Sequence, residues 1–474
     1  MKKFLVALAA MAMLLSGCAQ TEKAESAWDE EVDVLIVGAG GAGMSAAIEA
    51  KTAGAEKVLI VEKLDTLNSL TYLCGGKLSG YETKLAKKFD VHYTAEQVYD
   101  QIMDKSRYTL NPELTWITAE QCGPLIDWLA DEVGVKFEDE VAVEPAYGPD
   151  RLLHYVEGHS GAGYREPFTN KLNELGIELR FNNKAVKLMG DAEHDAVTGA
   201  RVETPEGTKT IKADAVVLCT GGYGDSEDMI QRMSAETVCL KSMRPEGPST
   251  GDGIVLATEF GAIFHNQEEK FGPRGYDNSK ITVGGTIQLD AEGRRFKDEK
   301  GHYDVSRTKT RAGMNRVKAD FYWGIEDAKT MESKRNARVI EKNSENLLVA
   351  NTVEELAALM EVDPAVLTET FNNYNSYCEQ GKDAEFDRNP ETLVKLDNAP
   401  FYAQKLTSRV GFTSGGIVRN EKGEVIKYNG NTVPGLYVAG EAAEGACADG
   451  WTCSHAMTWG RIAGKNAGEY AMSK

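Results

Sequence analysis

The sequence predicts an α/β fold in which a doubly wound, Rossmann-like sheet is interrupted by an inserted α+β capping domain. Three observations carry that expectation. An apolar run at 32–37 is followed at once by Gly38, Gly40 and Gly43 in GxGxxG spacing, then by a small-residue helix over 42–52. A second apolar run at 58–61 ends on Glu62, close to the offset of about 20 residues at which a ribose-binding acid stands in a βαβ unit. Buried-strand patterns return at 213–218 and 435–440, on either side of a more polar stretch with fewer glycines from about 264 to 400. The resulting division is 31–263 and 401–474 for the dinucleotide-binding part and 264–400 for the insert.

The chain opens with Lys2 and Lys3, an apolar run over 4–15 and then small residues, the order of a secretory signal peptide over 1–17. Leu15, Ser16, Gly17 and Cys18 fit a bacterial lipobox, in which cleavage before Cys18 leaves its thiol to carry lipid. Several acyl chains on one cysteine anchor a protein stably, so the expected location is outside the cytoplasm, lipid-anchored to a bacterial membrane. The polar linker 18–30 is short and keeps the folded body near the surface. A formal net charge of -20 argues against binding nucleic acid or a bare anionic lipid face, since both are polyanions. Apart from Cys18 the seven cysteines form no CxxC or CxxCH, which removes the usual signals for attached haem, an iron-sulfur cluster or a zinc knuckle, and no metal is expected.

Along the body, helical patterns occupy 94–107 and 112–133. The glycine-rich SGAG after His159 leads into a helix at 166–175, followed by strands at 177–181 and 185–189. The strand at 213–218 stops on Thr220, Gly221 and Gly222. Within the insert a helical pair covers 352–360 and 364–379, and a last helix runs over 454–472.

Each position of the first βαβ unit has a physical task. Gly38 allows the tight turn, Gly40 lets the backbone approach a pyrophosphate, Gly43 lets helix and strand pack closely, and Glu62 accepts from ribose hydroxyls. The helix N-terminus supplies N–H groups and a partial positive charge to the phosphates. An acid at Glu62 argues against a 2′-phosphate, and therefore against NADP.

Five blocks in this order resemble the FAD-contacting segments of the fumarate reductase and succinate dehydrogenase flavoprotein family: 33–63, NSLTYLCGG at 68–76, LCTGGYG at 218–224, TGDG at 250–253 and PGLYVAGE at 434–441. NTVEELAAL and FNNYNSYCEQGKD resemble that family's capping domain, and the family includes flavocytochrome c fumarate reductases with ketosteroid dehydrogenases as relatives. The resemblance implies FAD. It adds Ala39, Lys63, Asn68, Ser69, Val186, Thr220, Gly221 and Asp252 to the cofactor site. It also implies that Gly75 and Gly76 lie near the flavin ring, that Gly440 and Glu441 meet the ribityl chain, and that a helix starting near Ser454, His455, Ala456 and Met457 points its positive end at the pyrimidine edge. That dipole would stabilise anionic reduced flavin.

The resemblance fails at the substrate. The family's proton-donor arginine falls on Tyr303, with His302 taking its place if the alignment slips by one residue. The histidine of QxHP falls near Pro273, that of HTMGG becomes Phe412, and the carboxylate-binding arginine becomes Trp451. Two carboxylates buried without cationic partners would cost several kcal/mol, which makes fumarate a poor substrate. Aromatic walls at Phe412 and Trp451 favour a flat apolar small molecule with one activating group. The expected chemistry is reduction of an activated C=C, with electrons from a separate redox protein or membrane pool. The alternatives are a ketosteroid-like dehydrogenase and a flavin electron carrier without turnover. His154 and His159, Arg307, Arg311 and Arg316, and a disulfide between Cys447 and Cys453 are weaker site candidates, each with a surface or packing role as the simpler reading.

Overall fold

The computed structural model describes residues 28–474 apart from 107, 145–150, 192–194, 234–239, 267–269, 276–284, 301–302, 333–338, 341–343 and 446–450. Cys18, His302, Cys239 and Cys447 therefore lie outside the described residues, as do the signal peptide and most of the linker.

The second half of strand β1 (Glu30–Val37), from Val34 to Val37, is apolar without alternation because it is at the centre of a parallel sheet and is covered on both faces. It pairs in parallel with β2 (Val58–Val61), Val34 opposite Val58, and β2 pairs in turn with β3 (Glu178–Arg180). On its other side lie β6 (Gly207–Leu218) and then β13 (Thr432–Val438), both parallel, closed by the antiparallel β12 (Glu424–Ile426). Strands β4 (Lys184–Asp191) and β5 (Ala196–Thr204) continue antiparallel from β6.

The two faces of this sheet are covered differently. Val34, Ile36, Val58 and Ile60 face helices α1 (Gly41–Thr52), α4 (Pro112–Trp128), α5 (Arg165–Leu175) and α10 (Thr452–Met472). Leu35, Val37, Leu59 and Val61 face the β4–β5 hairpin and helix α6 (Asp252–Glu259). Helices α1 and α10 meet along small residues. A Cβ on Gly460 would stand 2.2 Å from the Ala42 carbonyl oxygen, and one on Gly464 2.1 Å from that of Ala46. The last helix thus lies directly on the first, bringing residue 452 beside the GxGxxG turn.

Most of the expected helices and strands of both sheet halves are present within a residue or two, with 129–133 closing α4 as a π-helical turn; the exceptions are β6, which starts at Gly207 and not at 213, and β13, which runs over Thr432–Val438 and not 435–440. A second sheet is built around β11 (Phe401–Phe412), which pairs with Lys241–Ser242, β7 (Lys270–Gly275), β9 (Tyr322–Asp327) and β10 (Leu347–Ala350), while β8 (Ile287–Leu289) joins β9. The central strand of the capping sheet therefore comes from beyond residue 400. The reason is physical: β11 is long enough to serve the capping sheet along its length and to deliver Phe412 to the dinucleotide side. Helices α8 (Val353–Met360) and α9 (Pro364–Gln380) pack on this sheet through Leu356, Leu367 and Phe371. A third, antiparallel sheet of 77–79, 137–144 and 151–156 was not legible as a sheet from pattern, because its longest strand, FEDEVAVE, is largely charged.

Candidate active site

A cavity of about 440 Å³ opens at the carboxyl ends of β1, β2 and β6, where the strand order diverges. Its floor is the glycine turn. Gly38 has φ +104°, and a Cβ there would meet the Cys219 carbonyl oxygen at 2.4 Å. Gly43 lies behind the turn and not on the cavity; its missing Cβ would stand 1.9 Å from the Gly38 carbonyl oxygen, so only glycine lets α1 start here. Helix α1 begins with no side-chain cap, and the Gly41 N–H donates to Thr71 Oγ1 at 3.0 Å. Glu62 closes the unit: its carboxylate accepts from the N–H of Ala39 at 2.8 Å and of Leu64 at 3.0 Å.

At the ribose end, Lys63 donates to Asp252 at 2.6 Å and to Thr250 Oγ1 at 2.6 Å, with Lys184 3.4 Å from the same aspartate. Ser69 Oγ lies in the lining beside Gly40, buried and without a hydrogen-bond partner. Such an orphan is what a polar ligand would complete. Helix α10 likewise begins at the cavity with no side-chain cap at Trp451. Two uncapped helix starts, an acid at the end of β2 and an orphan hydroxyl fit a dinucleotide lying across the sheet.

The opposite end is denser in side-chain chemistry. Glu441 accepts from the Thr413 N–H at 2.7 Å and its hydroxyl at 3.2 Å; burial pushes its carboxyl up to about 7, against the pull of those bonds. Arg244 reaches Asp225 at 2.8 Å and donates to the Gly411 carbonyl at 3.1 Å, while its Nε has no partner. His455 lies on the lining with its Nε2 3.0 Å from Arg419, and burial followed by that guanidinium holds it neutral, well below the usual histidine range. Cys74 and Cys453 both line the cavity, their sulfurs 3.8 Å apart.

The structure brings together Gly38, Gly40, Glu62, Lys63, Ser69, Thr220, Gly221, Asp252, Phe412, Gly440, Glu441 and Ala456 on this one cavity. Ala39 takes part through its N–H. Val186 is half-buried at a bulge of β4 next to the lining residues Lys184 and Ala185. Asn68 is exposed, and a Cβ on Gly75 would meet nothing within 4 Å. Gly76 turns with φ +62° against the Ser160 backbone. Ser454 donates to the Ser79 carbonyl at 2.7 Å, and Met457 packs in the core beneath α1; neither lines the cavity. Trp451, expected on the substrate wall, instead packs its indole with Tyr81, Ile102 and Cys122 under α3 (Ala95–Lys105) and α4, where its apolar ring is almost fully buried.

Tyr303 begins helix α7 (Tyr303–Arg316), but its side chain is outside the described residues. His154 is a core residue bonded to Thr83 at 2.7 Å, its pKa brought down to about 4 by burial, and His159 sits near Glu138 and Glu140. Arg316 pairs with Asp290. Sequence reasoning missed Arg244, Thr413 and Cys74 as lining residues; Cys74 stood inside the NSLTYLCGG block and Thr413 next to Phe412, and those positions were the available signal. Among the described residues no group of His, Cys, Asp and Glu is arranged to hold a metal, and no helix is long and apolar enough to cross a membrane.

Comparison with known proteins decides what occupies this cavity. Residues 33–454 match the FAD binding domain family. The chain belongs to that family. It is 28% identical to the vinyl phenol reductase of Lactiplantibacillus plantarum over 93% of this chain and 97% of that one. It is 28% identical to a fumarate reductase (cytochrome) of Shewanella frigidimarina over 94% of this chain and 78% of that one. The solved open conformation of a flavocytochrome c3 fumarate reductase superposes with a TM-score of 0.76 at 28% identity, over 94% of this chain and 79% of that one. A 3-ketosteroid-Δ4-(5α)-dehydrogenase from Rhodococcus jostii shares the fold, with a TM-score of 0.75 at 22% identity over 95% of this chain and 99% of that one. The protein is an FAD-dependent oxidoreductase of the fumarate-reductase-like flavoproteins.

Proposed function

We propose that this flavoprotein reduces the activated carbon–carbon double bond of an apolar, aromatic substrate that is not a dicarboxylate. The observation that carries the reading is Phe412, which lines the same cavity as Gly38, Glu62 and Glu441 at a position where the resembled family carries a histidine. A ring there removes an ionic clamp and offers a stacking face. Arg244, which lines the same cavity and donates to the Gly411 carbonyl next to Phe412, has its charge offset by Asp225. Similarity to a vinyl phenol reductase along nearly the whole of both chains supports the same substrate class.

When bound, FAD supplies a hydride at N5. The residues of the chain divide the rest of the task. Ser69, the start of α1 and Glu62 hold the phosphates and ribose; Glu441 meets the ribityl chain; Phe412 presses on the substrate plane. Tyr303, at the start of α7, gives the proton to the α-carbon, with His302 as its neighbour in the same role. Closure of the cap excludes water while charge develops. Electrons come from a separate redox protein or membrane pool, and the protein is held outside the cytoplasm by lipid on Cys18. Metabolic labelling with a tagged fatty acid, present on the native chain and lost from Cys18→Ser, tests the anchor.

The decisive assay follows reduced benzyl viologen. Hydroxystyrenes and aromatic enoates reoxidise the dye and fumarate does not. Turnover of fumarate at a rate equal to the aromatic substrates overturns the reading. Silence across the panel with reversible flavin reduction favours an electron carrier instead.

A further inference from the structure

We propose that Cys74 and Cys453 are a reversible thiol–disulfide couple that staples the cofactor cavity shut. They are 379 positions apart in the chain, yet their sulfurs stand 3.8 Å apart with the Cys453 thiol donating to Cys74. Both residues line the FAD cavity from different walls. Cys74 ends the short helix α2 (Leu70–Leu73), whose loop faces the GxGxxG turn, and Cys453 is in the first turn of α10. A disulfide needs about 2.05 Å between sulfurs, a change within reach of side-chain rotation where the thiols already touch.

The surroundings favour reaction at this pair over the other described cysteines. Cys74 Sγ also accepts from the Gly76 N–H at 3.4 Å and donates to the Thr71 carbonyl at 3.2 Å. The Cys453 thiol, more than any other neighbour, brings the Cys74 thiol down to about 7, against burial, so a thiolate is present at neutral pH. Burial pushes Cys122, Cys219 and Cys378 the other way.

The reaction balances with a small-molecule disulfide as oxidant. The Cys74 thiolate attacks one sulfur, the S–S bond of the small molecule breaks, and one thiol leaves. The Cys453 sulfur then attacks Cys74, its proton passing to the departing second thiol. Two electrons move from the cysteine pair to the small disulfide, and a dithiol reductant reverses the process. The closed form ties the α2 loop to the start of α10, so the walls that must part for flavin to leave are joined.

The test uses the FAD-loaded protein under anaerobic conditions, treated with glutathione disulfide and mapped as unreduced peptides. The expected product is a single cross-link between the peptides holding Cys74 and Cys453, lighter by two hydrogens and reversed by dithiothreitol. Either Cys74→Ser or Cys453→Ser leaves a stable glutathione adduct on the remaining partner. The linked protein should release flavin on dilution about tenfold more slowly than the reduced one, an effect of about 1.4 kcal/mol. Separate alkylation of both thiols after oxidation of the native chain overturns the couple, whatever the variants do. Equal flavin release from linked and reduced protein overturns the staple.

Discussion

The dinucleotide layer and the capping layer are stabilised by different means. Where α1 meets β1 and α10, contact is between backbones, and the determining residues are those with nothing beyond Cα or Cβ: Gly43, Ala42, Ala46, Gly460 and Gly464. In the cap, four fully buried charged side chains form one cluster. Arg295 meets Glu299 and Asp383, each at 2.9 Å, and Arg388 meets Glu299 at 3.0 Å and the Thr286 carbonyl at 2.8 Å. Two guanidinium groups against two carboxylates balance, and Tyr374 lies under both arginines. Close backbone packing fixes a shape to fractions of an ångström and suits a layer that must match one cofactor. A balanced ionic cluster fixes which elements join and suits a layer that joins the loop at 290–299 to the segment at 383–388.

The largest expected effect breaks the cap. Glu299→Gln leaves buried positive charge uncompensated and should cost about 3–5 kcal/mol of stability, read as a lowered denaturation midpoint. If the cluster is confined to the cap as a separate unit, flavin absorbance should survive longer than cap structure along the same denaturation curve. Coincident loss of both would show the two layers to be one cooperative unit. Next in size, Gly43→Ala forces a methyl into the Gly38 carbonyl and should cost about 1–3 kcal/mol, with the protein isolated depleted of flavin. Full occupancy in that variant would contradict the close-packing account of the layer.

This contrast also explains what could be read from the sequence. In the dinucleotide layer the information is local: a strand, three spaced glycines and an acid all fall within 30–62, and the observed elements match the expected ones there. The same holds for the single helical pair 352–360 and 364–379. The cap sheet and the reacting end of the cavity are built from partners far apart in the chain. Arg295 finds Asp383, Arg244 finds Asp225, Arg419 finds His455, and Cys453 finds Cys74, and no periodicity encodes such pairs. Trp451 shows the same limit in reverse. It was expected on the substrate wall, but its side chain joins a core pocket under α3 and α4 that the sequence does not reveal.

The comparison can be sharpened within the insert, where Tyr303 opens α7. Tyr303→Phe keeps the ring and removes the proton, so turnover should fall at least about tenfold, or 1.4 kcal/mol, while flavin content stays constant. Turnover unchanged from the native protein would take Tyr303 out of the reaction and turn attention to His302.

The smallest effect probes Glu441, a carboxyl of the dinucleotide layer that burial raises to about 7. Its folded-state pKa is raised from 4.5 to about 7 by burial, so between those values the folded apoprotein binds more protons than the unfolded chain. Its contribution to stability is therefore fully present below about pH 4.5 and is lost as pH rises through about 7. Glu441→Gln keeps the shape and cannot titrate. The difference in melting temperature between native and Glu441→Gln apoprotein should thus move in favour of the variant as pH rises across that window, by no more than a few degrees. Added FAD should alter the slope, because in the proposed function the cofactor contacts this carboxyl; a pH profile identical with and without FAD would place Glu441 outside the cofactor's reach.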